Sequence, residues 1–257
     1  MSLSGDLELA ERIARAAGDL LLERFRRPAS GLAAKSSATD PVSDADREAE
    51  ALIARSLLDA RPDDGLLAEE GASADAAGEP GAGRRWIVDP LDGTVNFLYG
   101  HAAWAVSIAL EDADGLAAGV VHDPARSETF SALRGGGCRL NGAPVRVSGC
   151  AALETALVAT GFGYEAQRRA VQAEALVRIL PRVRDIRRAG SAALDLAWVA
   201  AGRLDGYWER GLKPWDWAAG RLLVEEAGGA TRWLSGEPAG LAAASPGLLP
   251  ALVDLVG

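Results

Sequence analysis

The segment from Trp86 to Thr94 constrains the fold of this chain more than any other. Its first three residues are apolar, which is typical of a short buried strand. Two carboxylates follow, Asp89 and Asp92, in a turn that also contains Pro90 and Gly93. Because proline fixes φ and glycine permits a sharp bend, the segment predicts that the two acids converge on one point.

Asp89, Asp92 and the Leu91 carbonyl are oxygen ligands, which Mg²⁺ and Mn²⁺ prefer. Taken alone, the segment is also compatible with a solvent-exposed turn. Further acidic residues lie at predicted element ends: Glu69-Glu70, the group Asp40, Asp44 and Asp46, and Asp216 between Trp215 and Trp217. Each group alone is typical of a helix start or a cap. Carboxylates clustered beside apolar walls repel one another unless a cation neutralises them, so together they predict a metal site.

Composition excludes several classes of protein. The 257 residues include 36 acidic and 27 basic ones, a net charge of −9, so we expect no nucleic-acid ligand. A small phosphorylated metabolite could still use an arginine from the short clusters at 24–27 or 182–188. The two cysteines form no CxxC pair, so neither a disulfide framework nor a zinc knuckle is expected. The chain shows no signal-peptide pattern and no apolar run of membrane-spanning length, which predicts a cytoplasmic protein without a membrane partner.

The apolar periodicity predicts a mixed α/β protein, with an α+β first half and an α/β second half. Helices are predicted over 3–21, 44–58, 165–180, 191–201 and 215–226, followed by a last strand pair and helix. Strands are predicted over 66–68, 86–88, 104–110, 117–121, 128–132, 156–159 and 206–208, and at Ile186. Asp114-Gly115 and Asn141-Gly142 predict hairpins. We expect one domain over 1–257, with subdomains of about 1–150 and 151–257.

Other catalytic classes find no support in the sequence. It contains neither a G-x-S-x-G nucleophile elbow nor a G-x-x-x-x-G-K-[ST] phosphate loop. The glycines at 135–137 are interpreted as a hairpin. Of the two histidines, His122 is predicted to be structural and to follow a strand, whereas His101 is a weaker candidate for lining a site. Lys213 is predicted to place a cation at the rim.

Asp89-Pro90-Leu91-Asp92-Gly93-Thr94 resembles the first signature of the inositol monophosphatase family. The segments 215–220 and 225–229 resemble its second signature. Further similar positions are Lys35, Asp40, Val42, Asp46, Glu69, Glu70 and Gly190 to Ala193. The resemblance covers nearly the whole chain in the right order. It implies the layered αβαβα sandwich of the inositol monophosphatase and fructose-1,6-bisphosphatase type, a homodimer, and inhibition by Li⁺.

The resemblance also implies a phosphatase that uses Mg²⁺, with Mn²⁺ as a possible substitute. Glu69, Asp89 and the Leu91 carbonyl would hold one ion. Asp89 would bridge to a second ion, held also by Asp92 and Asp216, and the pattern allows a third, weaker ion near Glu69. These metals would activate water and screen the phosphate.

By the same resemblance, Thr94, oriented by Asp46, would position the attacking water, so that Thr94, Asp46, Glu69 and Asp89 form the catalytic set. The substrate would be contacted by Asp92, Gly93, Thr94, Gly190, Ser191, Ala192, Glu209 and Asp216. Backbone N–H groups at Gly93 and Thr94 would receive the phosphate.

The predicted substrate is inositol 1-phosphate, because the Glu209 carboxylate accepts hydrogen bonds from hydroxyls and repels a second phosphate. Histidinol phosphate is the main alternative, since its ammonium would also suit Glu209. Fructose 1,6-bisphosphate, nucleotide 3′-phosphates and a non-catalytic, metal-dependent binding protein remain as further alternatives. The chain departs from the family pattern at Tyr99 and Ala102, which affects substrate preference and not the metal ligands.

Overall fold

The computed structural model of the protein describes residues 2–27, 29–34, 41–74 and 83–257. The α-helices in these ranges are α1 (Leu3–Arg24), α2 (Asp44–Ala60), α3 (Thr94–Leu98), α4 (Ala166–Ile179), α5 (Ala192–Ala200), α6 (Pro214–Glu226) and α7 (Leu249–Val256). The strands are β1 (Ala33–Ala34), β2 (Pro41–Val42), β3 (Gly65–Ala68), β4 (Ser73–Ala74), β5 (Arg85–Asp92), β6 (Ala105–Asp112), β7 (Gly115–Asp123), β8 (Glu128–Leu133), β9 (Gly137–Leu140), β10 (Ala143–Pro144), β11 (Leu157–Thr160), β12 (Asp185–Arg187), β13 (Gly206–Arg210), β14 (Ala230–Leu234) and β15 (Gly240–Ala244).

Two large sheets organise the molecule. The first has eight strands in the order β10-β9-β8-β7-β6-β5-β3-β4, and its only parallel pair is β3 with β5 among the residues described. The second has five strands in the order β12-β11-β13-β15-β14, parallel from β12 to β13 and antiparallel beyond. All strands of the first sheet precede residue 150 and all strands of the second follow it.

Helices cover both faces of each sheet, which gives five layers. The α1 and α2 helices pack on the outer face of the eight-stranded sheet, and α5 and α6 lie between the two sheets. The α7 helix packs on the far face of the five-stranded sheet, with α4 beside it. Each helix layer buries an apolar core against a sheet. The predicted layered αβαβα sandwich is therefore confirmed.

Two local predictions were wrong. The β5 strand was expected to end before Asp89, but it continues to Asp92, and its pairing with β6 shifts register between Asp89 and Asp92. The strand resumes because Asp92 finds a partner at Ala105. His122 was expected to follow a strand but lies within β7, where its Nδ1 is 3.0 Å from Thr129 Oγ1 on the neighbouring strand.

Some predictions fall beyond the described structure. Lys35 and Asp40, which carried part of the family resemblance, lie outside the described residues. In the parts of the chain that the structure covers, no helix has the length and apolarity needed to cross a membrane.

Candidate metal centre and substrate cavity

A cavity of about 360 Å³ opens where the two halves of the molecule meet. It is lined by eleven of the twelve predicted site residues, namely Glu69, Asp89, Leu91, Asp92, Gly93, Thr94, Gly190, Ser191, Ala192, Glu209 and Asp216. The twelfth, Asp46, lies behind the wall and contacts Thr94 directly. The structure therefore brings all twelve together, although they come from segments up to 170 positions apart in the chain.

The irregular end of β5 shapes the floor of the cavity. Asp89 is buried, and its Oδ1 accepts a hydrogen bond of 3.0 Å from the backbone N–H of Leu91. The Leu91 carbonyl in turn accepts from the Thr94 hydroxyl at 3.1 Å. The register shift thus brings three predicted ligands, Asp89, the Leu91 carbonyl and Asp92, close together, as the Pro90 turn predicted.

Thr94 begins the short helix α3 and is held by Asp46 from α2. The Thr94 hydroxyl lies 3.0 Å from Asp46 Oδ1, while Asp46 Oδ2 accepts from the backbone N–H and hydroxyl of Ser43 at 3.0 and 2.6 Å. Gly93, which precedes α3, has φ of +99°, and a Cβ there would lie 2.8 Å from the Ala103 carbonyl oxygen. Glycine is therefore required for this turn, and the helix cap of α2 also fixes the orientation of Thr94.

Asp92 joins the two halves of the molecule. Its Oδ2 accepts hydrogen bonds from the Ser191 hydroxyl at 2.6 Å and from the backbone N–H of Ala193 at 2.7 Å. Ser191 is also the N-cap of α5, since its hydroxyl accepts from the N–H of Leu194. Burial raises the pKa of Asp92 to about 6. The hydrogen bonds from Ser191 and Ala193 oppose that rise, and the negative charge of Glu69 adds to it.

Asp216 lies in the first turn of α6 and caps it. Its Oδ2 accepts from the backbone N–H of Lys213 at 2.6 Å, which leaves Oδ1 for another partner. Burial, followed by the negative charge of Asp92, raises the pKa of Asp216 well above its ordinary value. Glu69 and Glu209 act in the same direction.

Glu209, on β13, faces the cavity from the second sheet. One of its oxygens accepts from the Tyr207 hydroxyl at 2.8 Å. Its carboxylate lies so close over Gly161 that a Cβ at that position would overlap it. Burial raises the pKa of Glu209 to about 7, and the Arg188 guanidinium opposes that rise.

The sequence predictions missed Asp195, Arg168 and Tyr207, and they placed Arg188 in a short basic cluster from which a phosphorylated metabolite could use an arginine. Arg188 lines the cavity with its guanidinium 5.6 Å from the centre of the Phe162 ring. Arg168 also lines it, its side chain passing over Gly163. Asp195 had one sequence signal, an acid inside the apolar run of α5. Arg168, in the first turn of α4, had no such signal, because basic residues on helix surfaces are common.

The predictions for Lys213 and the two histidines concern whether these residues line the cavity. Lys213 lines the cavity as expected. His101 is exposed and is absent from the cavity lining, while His122 is buried in the strand layer far along β7.

The glycines at 135–137 form the predicted β8–β9 hairpin, and Glu226 accepts hydrogen bonds from the N–H groups of Gly135 and Gly137.

The chemistry of the donors fits a divalent cation. Within the described ranges, no three acidic, histidine or cysteine side chains are already gathered as a ready-made metal site. However, Glu69 and Asp92 raise the pKa of Asp216, and Glu69 raises that of Asp92, so these carboxylates face one region and repel one another. A cation bound among them would relieve both that repulsion and their desolvation. Their oxygen donors suit Mg²⁺ or Mn²⁺.

The chain is similar to members of one protein family over almost its whole length. The model of the inositol monophosphatase family matches residues 3–252. An inositol-1-monophosphatase, SuhB, of Mycobacterium tuberculosis is 46% identical over 231 residues, covering 86% of this chain and 79% of that protein. The Nus factor SuhB of Pseudomonas aeruginosa is 46% identical over 230 residues, covering 87% and 83%. Among solved structures, the suhB protein of Bartonella henselae has a TM-score of 0.91 at 38% identity and covers 98% of both chains.

Proposed function

Since the chain belongs to the inositol monophosphatase family and is therefore a metal-dependent phosphoric monoester hydrolase, we propose that it hydrolyses the phosphate monoester of a small polyol, with inositol 1-phosphate as the first candidate. The observation that carries the proposal is the hydrogen-bonded group of Asp46, Thr94 and the Leu91 carbonyl at the floor of a carboxylate-lined cavity. This group suits the activation of a water molecule beside bound metal.

We propose that Glu69, Asp89 and the Leu91 carbonyl hold one Mg²⁺, and that Asp89, Asp92 and Asp216 hold a second. Glu69 would also contribute to a weaker third site, and Mn²⁺ would substitute for Mg²⁺. When bound, the ions lower the pKa of a coordinated water and screen the charge of the phosphate and of the leaving alkoxide.

The protein's own residues orient the attacking water. The Thr94 hydroxyl has one proton, directed to Asp46 or to the Leu91 carbonyl, so its lone pairs accept a hydrogen bond from water. As the water attacks phosphorus, the bond between phosphorus and the alcohol oxygen breaks, and the departing alkoxide takes a proton from solvent in the cavity. The proton of the attacking water passes to Thr94 Oγ1 while the Thr94 proton moves to Asp46 Oδ1. The buried position of Asp46 and Thr94 excludes bulk water from this proton path.

The charges around Glu209 favour a neutral polyol as the leaving group. Glu209 offers a carboxylate oxygen to substrate hydroxyls, while Arg188, Arg168 and Lys213 line the same cavity and supply positive charge. Arg188 acts directly on Glu209, since it lowers the pKa of that carboxyl. Histidinol phosphate is the second candidate, because a carboxylate also binds ammonium, but these cations would repel it.

The partners implied by the resemblance stay predictions. The name Nus factor belongs to the relative that carries it, and the net charge of −9 supports the prediction of no nucleic-acid partner. The predicted homodimer would need an apolar surface to bury. Three exposed apolar side chains on α4 and the turn after it are candidates: Val171, Val177 and Leu180. Light scattering of the purified protein would measure its mass in solution.

Phosphate release tests the proposed function. The substrates are inositol 1-phosphate, histidinol phosphate, fructose 1,6-bisphosphate and adenosine 3′,5′-bisphosphate, each with Mg²⁺ and with EDTA. We expect Mg²⁺-dependent release, fastest from inositol 1-phosphate. Faster release from histidinol phosphate would make the second candidate the substrate. No release from any ester by folded protein would contradict the proposal and favour a binding protein.

A further inference from the structure

One carboxylate in the cavity has no role in the metal site or in catalysis as described above. Asp195 is the fourth residue of α5 and is 1% exposed. Its Oδ1 has no hydrogen-bond partner among the described residues, and none of them forms an ion pair with it. Burying a carboxylate without partners is unfavourable, so an acid at this position needs an explanation.

Buried acids elsewhere in the protein have partners. Asp123, at the end of β7, is fully buried, and its carboxylate accepts from the Arg126 guanidinium at 2.7 Å and from the Arg126 N–H at 3.1 Å. Asp46 and Asp89 are likewise hydrogen-bonded within the chain. Asp195 differs in that it also lines the cavity. Its missing donor can therefore come from a molecule in the cavity.

The surroundings of Asp195 indicate the class of that molecule. Glu209 and Asp195 act on one another electrostatically and line the same cavity from β13 and α5, which pack together. Tyr207 already satisfies one oxygen of Glu209. Arg188 lowers the pKa of both acids, so a positive charge is already close to them. What the pair lacks is neutral donors, and hydroxyl groups supply these without the repulsion that an ammonium would meet.

We propose that Asp195 is a specificity-determining residue whose carboxylate accepts a hydrogen bond from a hydroxyl of the substrate's polyol, beside a second hydroxyl held by Glu209. This inference rests on the proposed function. It defines the substrate class as phosphate monoesters of alcohols with at least two further hydroxyl groups. An ester with no such hydroxyls leaves Asp195 unpaired and gains nothing from it.

The test compares two substrates in three variants. Inositol 1-phosphate carries the hydroxyls and phenyl phosphate does not, and both use the same metal and water. We measure the ratio of kcat/KM for the two esters in the wild type, Asp195→Ala and Asp195→Asn. The control is Asp123→Asn, a buried acid outside the cavity.

Loss of one hydrogen bond to a charged acceptor predicts that Asp195→Ala lowers the ratio by about tenfold, mainly through KM for inositol 1-phosphate. Asp195→Asn keeps an acceptor oxygen and should lower it less. The melting temperature of Asp195→Ala should not fall, since an unpaired buried carboxylate is removed, whereas Asp123→Asn should lose stability with an unchanged ratio.

An unchanged ratio in Asp195→Ala would overturn the inference and leave Asp195, with a bound water, as a structural acid. An equal loss for both esters would also overturn it, because Asp195 would then act on the metal site. If the wild type released phosphate from neither ester, the proposed function would be wrong. Calorimetry with inositol as the probe would then decide the inference separately, through weaker binding to Asp195→Ala.

Discussion

The carboxylates on the two sides of the cavity lie in different environments. On the side of the eight-stranded sheet, Asp46 and Asp89 are buried and hydrogen-bonded to backbone N–H groups or hydroxyls. On the side of the five-stranded sheet and α6, burial raises the pKa values of Asp195, Glu209 and Asp216. The first side is organised by the chain itself, whereas the proposed metal ions and substrate would supply the remaining partners of the second. This difference predicts where substitutions affect turnover and where they affect binding and pH dependence.

Thr94→Ala tests the first side and should have the largest effect. Removal of the hydroxyl held by Asp46 should lower kcat by about 10²- to 10⁴-fold, because the attacking water loses its acceptor. The Kd for Mg²⁺, measured by calorimetry, should be nearly unchanged. Thr94→Ser restores the hydroxyl and should recover most of the rate. Equal turnover by the wild type and Thr94→Ala would remove Thr94 from the mechanism.

The raised pKa values of Glu209, on the second side, and of Asp92, which joins the two sides, predict that stability depends on pH and on Mg²⁺. Burial raises the pKa of Glu209 from 4.5 to about 7 and that of Asp92 from 3.8 to about 6. A raised pKa means that the folded state retains protons, so the stability these groups contribute is present below pH 4 and is lost as pH rises through 6 and 7. Mg²⁺ binds the deprotonated carboxylates and should stabilise the protein by about 2.7 kcal/mol at a hundredfold excess over its Kd. A fixed Mg²⁺ concentration should stabilise the protein more at pH 8 than at pH 5, because protonation of the carboxylates raises the Kd.

Thermal unfolding of the metal-free protein between pH 5 and pH 8 measures this dependence. Other groups also titrate in the range, since burial lowers the pKa of His122. The informative quantity is therefore the difference between the wild type and Glu209→Gln. The variant should gain stability relative to the wild type as the pH rises. If the difference were the same at pH 5 and pH 8, Glu209 would not be the group that titrates.

Gly161→Ala tests whether Glu209, on the second side of the cavity, binds the substrate. The new methyl group would overlap the Glu209 carboxylate and displace it from the cavity wall. We expect KM for inositol 1-phosphate to rise by about tenfold, with a small change in kcat, in line with the loss of one charged hydrogen bond. Gly149→Ala is the matched control, because nothing lies within 4 Å of a Cβ there. A similar KM in both variants would show that Glu209 adapts or does not bind substrate.

Ser191→Ala should have the smallest effect and tests the link between the two sides. Loss of the α5 N-cap should cost about 1 kcal/mol of stability. The exposed Ser2→Ala removes the α1 N-cap and should cost a similar amount or less. Only Ser191→Ala should also weaken Mg²⁺ binding, because Ser191 orients Asp92. Equal Mg²⁺ affinity in the two variants would mean that the Ala193 N–H alone holds Asp92.

Short-range pattern predicted most of the fold and the positions of the candidate metal ligands. Amphipathic periodicity located the predicted helices of the described chain to within a few residues, since helix burial follows a 3.6-residue repeat. The turn at Pro90 and Gly93 was also predicted from the sequence, because proline and glycine act on the backbone of their immediate neighbours.

Tertiary structure decided the rest. Where β5 resumes after its register shift depends on Ala105, thirteen residues beyond Asp92. Whether Arg188 and Asp195 face solvent, core or cavity depends on how α5 and the Phe162 loop pack against β13, which no local pattern encodes. The sequence by itself predicted which residues would bind metal and activate water, and those roles stay predictions. Only the packing of the two sheets determined which other charges surround the substrate, because that environment is assembled from distant segments.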